Sequence, residues 1–451
     1  MSNILYESDE NTSGNTTGDN VTNENRYENS GFQMGSGTQK DPFIICTVED
    51  LENLRDLING ARHDIFCTAN FALGDDIDLE NREWTPIGVS TDRDFRGTFN
   101  GDGYSILNFK ITASQSNADA VGLFGNSSGV IKNLNVSKFN INLSLNKYVK
   151  VGSIVGNAYG ATSAISNCQS KDGTVHVTNT YPADIGGICG TAQDTDIIQC
   201  NSSLTVYGKF SNKNEGTAEA HGGSIGGICG KLNDGIISQS FHSGNTSVEG
   251  RSNYYVGGLV GFLNGDIINS YANSNISLNA SGLFGQYIIT GAFLGGLAGF
   301  AESGNIYACY SYGSIDAMFK YSPLFAGGLI GVGYSKVVLS DCLSATNITT
   351  AITAYEDAPS IPITLFVGYF SGEYCYDVTL DNCYRSTSAS LEGRFAWAFL
   401  KPNEYYIEPY DSLGLSTCET SSWKSANFYK STLDWNTEVW NLRNNSLPTL
   451  Y

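Results

Sequence analysis

Four carboxylates precede equivalent strands of a repeated pattern, a placement that could support acid–base chemistry. They are Asp194, Asp196, Asp234 and Asp266. Carboxylate pairs cleave glycosidic bonds, and stacked repeats could bring these side chains within reach of one another. However, Asn305 and Lys336 continue the same row, and Asp, Asn and Gly are ordinary turn residues. The pattern therefore favours turns, and we predict no catalytic residues.

Three tyrosines recur at equivalent places in the repeats: Tyr271, Tyr310 and Tyr384. Aromatic rings that return once per repeat would form a partial ladder if the repeats stack. We favour contact between neighbouring repeats, because buried aromatic side chains dominate core energetics. A platform for sugar rings is the functional alternative, and it leaves these tyrosines as weak ligand-binding candidates.

The cysteines and histidines form no recognisable metal or nucleophile motif. The chain has eleven Cys and four His, without a CxxC pair or an HExxH sequence. Cys189 and Cys229 occupy a position that holds small apolar residues in other repeats, which predicts buried free thiols. The acidic stretch GDDIDL at Gly74 lacks the ligand spacing of a calcium loop. We predict no metal and no cofactor.

Composition narrows the classes of partner. The 451 residues include 51 Gly, 26 Tyr and 22 Phe but only 9 Pro, which suits a β-rich protein with many tight corners. A net charge of −20 disfavours nucleic acid and anionic lipid, which require clustered Lys and Arg. No apolar stretch is long enough to span a membrane, and the N-terminus lacks the basic start and apolar core of a signal peptide.

A glycine phrase returns every 30 to 40 residues and predicts a solenoid. Its seven copies are VGLFG at Val121, VGSIVG at Val151, IGGICG at Ile185 and Ile225, VGGLVG at Val256, LGGLAG at Leu294 and AGGLIG at Ala326. A glycine that recurs once per coil can hold the same close corner along the whole array. We therefore assign structural roles to Gly122, Gly152, Gly186, Gly226, Gly257, Gly295 and Gly327.

Two further columns follow each phrase. The aliphatic column is predicted to contain Ile165, Ile197, Ile236, Ile267, Ile306, Leu339 and Leu380. Three residues later, a second column contains Cys168, Cys200, Gln239, Ser270, Cys309, Cys342 and Cys383. Insertions swell some repeats, as at residues 211–223 and 280–291, and insertions on one side of a solenoid often form its binding face.

The solenoid divides the chain into four parts. Residues 1–35 are polar and predict a disordered leader, a candidate tether to a larger assembly. Residues 36–120 predict a cap and the first coils, with an amphipathic helix that Thr47 caps and Gly60 ends. Residues 121–385 form the repeats. Residues 386–451 hold four of the five Trp and predict an aromatic C-terminal cap, with sugar-stacking Trp as the alternative.

These residues resemble the GLUG-motif family of bacterial surface proteins, through Gly258-Leu259-Val260-Gly261 and Gly296-Leu297-Ala298-Gly299. The flanking segments GSGTQKDPFII, WTPIG and VWNLRNNSLPTL are similar to pieces that border such arrays. The resemblance implies an all-β, right-handed parallel β-helix at an extracellular or cell-surface location, adhesin-like and without shared catalytic residues.

The resemblance and the residues together favour a non-enzymatic module that binds glycan or protein along the loop-bearing side of the solenoid. Two alternatives stay open. One is a tail-spike-like or lyase-like enzyme that degrades glycans, and it requires converging carboxylates. The other is a structural component of a virion made in the cytoplasm, which would account for free thiols and the missing signal.

Overall fold

The chain folds into a parallel β-helix. The computed structural model describes residues 27–112, 118–211, 223–281, 291–320, 322–353, 365–374, 378–396, 405–407 and 416–451. Each coil runs through three sheets in turn, called sheets 1, 2 and 3, and every strand of these sheets pairs in parallel with its equivalents in neighbouring coils. The parallel β-helix predicted from the glycine phrases is confirmed.

Sheet 1 comes directly before the bend that the glycine phrases form, and sheet 2 directly after it. The strands of sheet 1 are Ala120–Val121, Val149–Val151, Ala183–Gly186, Gly223–Gly226, Tyr254–Gly257, Ala292–Gly295, Leu324–Gly327, Leu365–Gly368 and Tyr405–Ile407. Those of sheet 2 are Phe43–Ile45, Asn70–Leu73, Thr98–Asn100, Phe124–Ser127, Val130–Lys132, Val155–Tyr159, Ala164–Ser166, Cys189–Gln193, Asp196–Ile198, Cys229–Ser238, Val260–Ile268, Ala298–Tyr307, Ile330–Gly333, Val337–Ser340, Ser371–Tyr374 and Val378–Asp381.

Sheet 3 closes each coil and carries the longest strands. Its strands are Ile77–Asp78, Ser105–Leu107, Lys110–Thr112, Asn135–Ser137, Asn140–Leu145, Gln169–Lys171, Thr174–Asn179, Asn201–Ser202, Thr205–Ser211, Phe241–His242, Asn245–Arg251, Tyr271–Ser281, Tyr310–Lys320, Leu343–Thr353, Tyr384–Ser386, Leu391–Ala396 and Ser416–Cys418. A separate antiparallel pair joins Trp440–Asn441 to Thr449–Leu450.

The first glycine of each phrase lies where backbone crosses backbone at the bend. A Cβ atom on Gly257 would lie 1.9 Å from the carbonyl oxygen of Val260 and 2.7 Å from that of Leu297 in the next coil. These separations are far below van der Waals contact, so any side chain here would force the bend open. At the six other glycines that the sequence assigned to corners, the nearest backbone atom would lie 1.9–2.5 Å from such a Cβ atom.

The predicted columns form ladders inside the coils, with one correction. Ile197 pairs with Ile237 rather than Ile236, and the backbone amide of Cys200 donates to Ser240 Oγ at 3.0 Å. The second column therefore contains Ser240 in place of Gln239. Ile236 and Ile237 are identical in type, so the aliphatic pattern does not distinguish the two registers.

The N-terminal end carries the predicted helix, Val48–Asn59, followed by the short helix His63–Phe66. Thr47 Oγ1 accepts a hydrogen bond from the Asp50 amide, and the Asp50 carboxylate accepts one in return, which forms a capping box. Of the predicted leader, residues 1–26 lie outside the described residues. Tyr27 and Phe32 pack against Phe43, the latter stacked with ring centroids 4.8 Å apart.

The aromatic C-terminal segment, residues 419–451, lies along the side of the coils. It contains the helix Thr420–Trp423 and the π-helical turn Phe428–Thr432. Trp435 Nε1 donates to the Asp341 carbonyl at 2.8 Å, and Trp440 Nε1 lies 3.3 Å from Asn269 Oδ1. Because Asp341 and Asn269 belong to different coils, the segment runs back across the stack. Trp397, also predicted in the cap, lies outside the described residues.

Candidate functional site

The four candidate aspartates occupy two separate columns. Asp194 and Asp234 have left-handed backbone conformations, with φ of 50° and 51°, and are exposed. Such a conformation is typical of Asp and Asn in turns. Asp196 and Asp266 belong to the other column, where Ile236 lies between them and separates them by two coils.

The second pair serves the coil stack. Asp196 Oδ1 accepts a hydrogen bond from the Ile236 amide at 3.1 Å. Asp266 Oδ1 accepts from both the amide and the side chain of Asn305, at 2.8 and 3.0 Å. The structure thus places Asp194 and Asp234 at exposed, equivalent positions of neighbouring coils and engages Asp196 and Asp266 in bonds between coils, so the four carboxylates are not gathered around one point.

An aromatic ladder exists, but it includes Phe241 and is interrupted by Leu343 before Tyr384. Tyr271 stacks on Tyr310 with centroids 4.7 Å apart, and Phe241 continues the stack at 4.8 Å. Tyr384 lies further along, beyond Leu343 in the same column. The sequence analysis did not place Phe241 in this column because it assigned Gln239, instead of Ser240, to the preceding column.

The C-terminal segment covers this ladder. Tyr271 and Tyr310 are buried, and Trp435 and Trp440 pack within 6.2 Å of the Tyr310 ring. Burial raises the pKa of Tyr271 to about 12. The faces of both tyrosine rings are therefore occupied by protein, as expected for contacts between coils.

A different surface gathers outward-facing side chains from many coils. At the bend between sheets 1 and 2 the outer faces of the two sheets turn towards each other, and we call the row of side chains packed between them the outer furrow. Most of these side chains are buried, whereas Lys150, Lys231, Tyr255 and Phe262 are partly exposed. Its sheet 1 wall consists of Lys150, Asp184, Ser224, Tyr255, Phe293, Phe325 and Phe366. Its sheet 2 wall consists of Asn157, Thr191, Lys231, Phe262, Phe300 and Val332.

The first coils form the polar half of the outer furrow. Asp184 is only 3% exposed, and its Oδ2 accepts hydrogen bonds from Thr191 Oγ1, at 2.8 Å, and from the hydroxyl of Tyr148. Burial and the neighbouring carboxylate raise the pKa of Tyr148. Lys150 Nζ donates to Asn157 Oδ1 at 3.0 Å, and burial lowers the pKa of this lysine.

The later coils form the aromatic half. Tyr255 and Phe262 face each other with centroids 5.8 Å apart, and Phe293 and Phe300 do so at 5.6 Å. Along the axis Phe293 stacks on Phe325 at 4.8 Å with nearly parallel rings. These side chains form an apolar cluster outside the main core. The outer furrow thus changes from polar to aromatic between Lys231 and Phe262.

The longest connections between sheet 3 and sheet 1 lead into strands that form one wall of the outer furrow. Segments 212–222, 282–291 and 354–364 each join the end of a sheet 3 strand to the start of a sheet 1 strand. The equivalent connections in other coils span only 146–148, 180–182, 252–253 and 321–323. The insertions noted in the sequence therefore begin and end at one corner of the coil. Ser224, Phe293 and Phe366 follow that corner within two residues.

A second polar cluster, centred on Asp94, links the first coils through hydrogen bonds. Asp94 is 2% exposed and accepts hydrogen bonds from Arg96 Nε at 2.7 Å, Ser128 Oγ at 2.7 Å and Tyr159 Oη at 2.8 Å. Burial raises the pKa of Tyr159. The carboxylate is saturated by donors from three segments, so it joins the loop at Asp94 to two coils.

The part of the chain that the structure describes holds neither a cluster of three metal-ligating side chains nor a membrane-spanning helix. No group of three or more His, Cys, Asp or Glu side chains there could hold a metal ion. None of its helices has the length and apolar character needed to cross a membrane. All described cysteines except Cys46 are buried, and Cys375 lies outside the described residues.

Sequence reasoning missed the walls of the outer furrow, although the signal was present. Each wall residue stands directly beside a glycine phrase, one before it and one after it. The pairs read Lys150 and Asn157, Asp184 and Thr191, Ser224 and Lys231, Tyr255 and Phe262, Phe293 and Phe300, Phe325 and Val332. Their seven-residue spacing spans the bend, which is why the two side chains of a pair face each other.

Comparison with known proteins identifies the phrase in one coil. Residues 252–277 match the family model of the GLUG motif. A protein of Evansella cellulosilytica named as a Gly-rich membrane protein is 33% identical over 147 residues, which cover 31% of this chain and 16% of that protein. Halomucin of Haloquadratum walsbyi is 28% identical over 179 residues, 37% of this chain and 2% of halomucin. The chain therefore spans a small part of these relatives.

Two solved structures are similar over most of the chain. One is described as an immunoglobulin A1 protease from Bacteroides ovatus, with a TM-score of 0.40, 18% identity and coverage of 93% of this chain and 95% of that one. Another is an IgA1 protease, with a TM-score of 0.39, 15% identity and coverage of 86% and 27%. The family resemblance rests on the motif, which occupies one coil between Ser252 and Ser277. The chain thus carries a GLUG motif at residues 252–277.

Proposed function

We propose that this protein is a surface-displayed binding module that holds its ligand along the outer furrow. The observation that carries the proposal is the continuity of the outer furrow over successive coils, with polar groups at one end and aromatic rings at the other. Ligand sites commonly combine apolar surface with a few placed polar groups.

The stacked coils of the β-helix can act as a rigid support for a binding surface. Sheet 2 pairs without interruption from Phe43 to Ser371. Ten coil-to-coil steps of about 4.8 Å give a stack about 50 Å long. A rod of this length can hold several weak contacts in register, so that their effects combine. Surface display is favoured by the family resemblance and by the name of the Evansella relative, a membrane protein.

The enzyme alternative gains no support from the candidate carboxylates. Glycoside hydrolysis requires two carboxyl groups on opposite sides of one bond. Asp194 and Asp234 lie exposed at left-handed backbone positions, whereas Asp196 and Asp266 bond to neighbouring coils. A binding role requires no such convergence, and it uses the outer furrow that the structure shows.

A binding screen with matched variants tests the proposal. The purified protein is applied to glycan arrays and to cultured cells, together with Tyr255→Ala/Phe262→Ala in the outer furrow. Ser277→Ala/Thr349→Ala, on the exposed outer face of sheet 3, is the control. We expect the furrow variant to lose at least about tenfold in affinity, since two aromatic contacts at about 0.5–1.5 kcal/mol each are removed. Unchanged binding by the furrow variant would overturn the proposal.

A further inference from the structure

One coil of the outer furrow places an amine opposite a carboxamide. Lys150 on the sheet 1 wall faces Asn157 on the sheet 2 wall across the bend, and Lys150 Nζ lies 3.0 Å from Asn157 Oδ1. Because a carbonyl bond is about 1.2 Å long, Cγ of Asn157 lies within about 4.2 Å of Nζ. Atoms about 3–3.5 Å apart are poised to react, so a shift of about 1 Å brings the amine to the carbonyl carbon.

The surroundings hold this pair in place and favour a reactive amine. Asn157 is only 6% exposed, and its Nδ2 donates to Asn126 Oδ1 at 3.0 Å, which turns the carboxamide oxygen towards Lys150. Lys150 is half-buried and makes no ion pair among the residues that the structure describes. Burial lowers the pKa of its ammonium group, although the charge of Asp184 opposes this shift. A larger fraction of the amine is therefore neutral, which is the nucleophilic form.

A buried carboxylate lies beside this pair in the next coil. Asp184 is the strand partner of Lys150, and Thr191 is the strand partner of Asn157. Thr191 Oγ1 donates to Asp184 Oδ2 at 2.8 Å, so the carboxylate bridges the bend one coil step, about 4.8 Å, from the lysine and the asparagine. Asp184 is 3% exposed. A carboxylate positioned next to reacting groups and shielded from water can carry a proton between them.

We propose that Lys150 and Asn157 join covalently, forming an amide bond between Nζ and Cγ, with the Asp184 carboxylate as proton carrier. The neutral amine attacks Cγ, and the C–N bond forms as the carbonyl π electrons move to Oδ1. Asp184 takes one proton from Nζ and passes it to Nδ2. The carbonyl then re-forms, the bond between Cγ and Nδ2 breaks, and one ammonia molecule leaves. Nothing is oxidised or reduced, and the step uses no external reactant.

The other pairs of the outer furrow lack this combination. The second furrow lysine, Lys231, faces Ser224 and contacts the ring of Phe262, so it has no carboxamide to attack. The bond between Lys150 and Asn157 would close a ring over residues 150–157, which contain the glycine phrase of that coil. It would therefore fix the bend between sheets 1 and 2 whatever ligand the outer furrow binds, and the proposal goes beyond the binding function.

Mass spectrometry of the purified chain tests the proposal. The bond removes one ammonia from the mass that the sequence requires, and trypsin no longer cleaves after Lys150 because its amine is acylated. We expect the tryptic peptide of residues 148–171 to lack one ammonia and to give no backbone fragments from within residues 150–157. An asparagine that cyclises on its own backbone also loses ammonia, but it leaves cleavage after Lys150 intact.

Two substitutions test the role of the carboxylate. Asp184→Asn keeps the shape of the side chain but removes the proton carrier, so we expect the cross-linked fraction to fall at least about tenfold. Asp119→Asn is the control, because Asp119 is an exposed carboxylate that pairs with Lys147, and it should leave the bond intact.

The wild-type protein decides the existence of the bond even where a variant fails to fold. Cleavage after Lys150 in the wild type, at the full mass of the sequence, overturns the proposal. A cross-link of equal extent in wild type and Asp184→Asn also overturns it, because the carboxylate would then carry no proton in the reaction.

Discussion

The rings of Tyr271 and Tyr310 stack with centroids 4.7 Å apart and an angle of 5° between their planes, and the C-terminal segment closes over both. Upstream coils place Asn135, Gln169 and Asn201 in the same column. The column therefore changes from amides to aromatic rings where the segment begins to cover it. Coverage by Trp435 and Trp440 turns an otherwise exposed ladder into a second core.

The hydroxyl of Tyr310 should hold the C-terminal segment in place. It donates to the Pro448 carbonyl at 2.8 Å in a buried setting. Tyr310→Phe leaves that carbonyl without its donor and should cost about 1–2 kcal/mol of unfolding free energy. Limited proteolysis should then cleave within residues 419–451 faster than in the wild type. Tyr271→Phe is the control from the same ladder, and equal cleavage of both variants would count against this role.

Replacement of Ala308 by Asn, the residue found at several equivalent positions, should destabilise the protein. Its backbone is left-handed, with φ of 51°, and equivalent positions in other coils are Asn167, Asn269 and Asn382. Ala308 is buried beneath the C-terminal segment, so a larger side chain there would collide with it. We expect Ala308→Asn to lower unfolding free energy by about 1–3 kcal/mol.

Gln239→Asn provides the matched comparison for Ala308→Asn. Gln239 has the same backbone conformation, with φ of 48°, but is half-buried at a coil that the segment leaves open. This substitution should change stability by less than about 0.5 kcal/mol. Chemical denaturation of both variants measures the difference, and similar costs at the two positions would contradict the role of coverage.

His242 should make the fold sensitive to acid. It faces Gly227 inside the coil, and burial lowers its pKa from 6.5 to about 4. The unfolded chain therefore binds a proton that the folded chain refuses between these values, so stability falls as pH drops from about 6.5 towards 4. The shift corresponds to about 3 kcal/mol. Urea unfolding of His242→Ser should show a pH dependence weaker by about that amount, and equal slopes would refute the assignment.

The thiols should be inert in the folded protein. Burial raises the pKa of Cys200, Cys229 and Cys342, and buried thiols react slowly because the thiolate is the nucleophile. In a Cys375→Ser background, Ellman's reagent should modify about one thiol per chain quickly, that of the half-buried Cys46. Rapid modification of several thiols without denaturant would show that the coils open.

The sequence predicted the fold better than the site, for a physical reason. Glycines at backbone crossings and inward-facing Ile and Leu repeat because every coil must satisfy the same packing, as at Gly257 and Ile267. The outward-facing positions of the outer furrow have no common packing requirement, so their residue types vary, from Asp184 to Phe293. This variation makes the seven-residue spacing of the wall pairs hard to recognise in the sequence. The error at Gln239 had another origin, since two adjacent isoleucines fit either register.

Lysine footprinting tests the central claim, that the outer furrow is the binding surface, most directly. The protein is acetylated with and without the tightest-binding glycan of the array, and modification is quantified by mass spectrometry. The account predicts that Lys231 becomes protected, whereas Lys171 and Lys209, on the outer face of sheet 3, react as before. Protection of Lys171 and Lys209, with Lys231 unchanged, would contradict it.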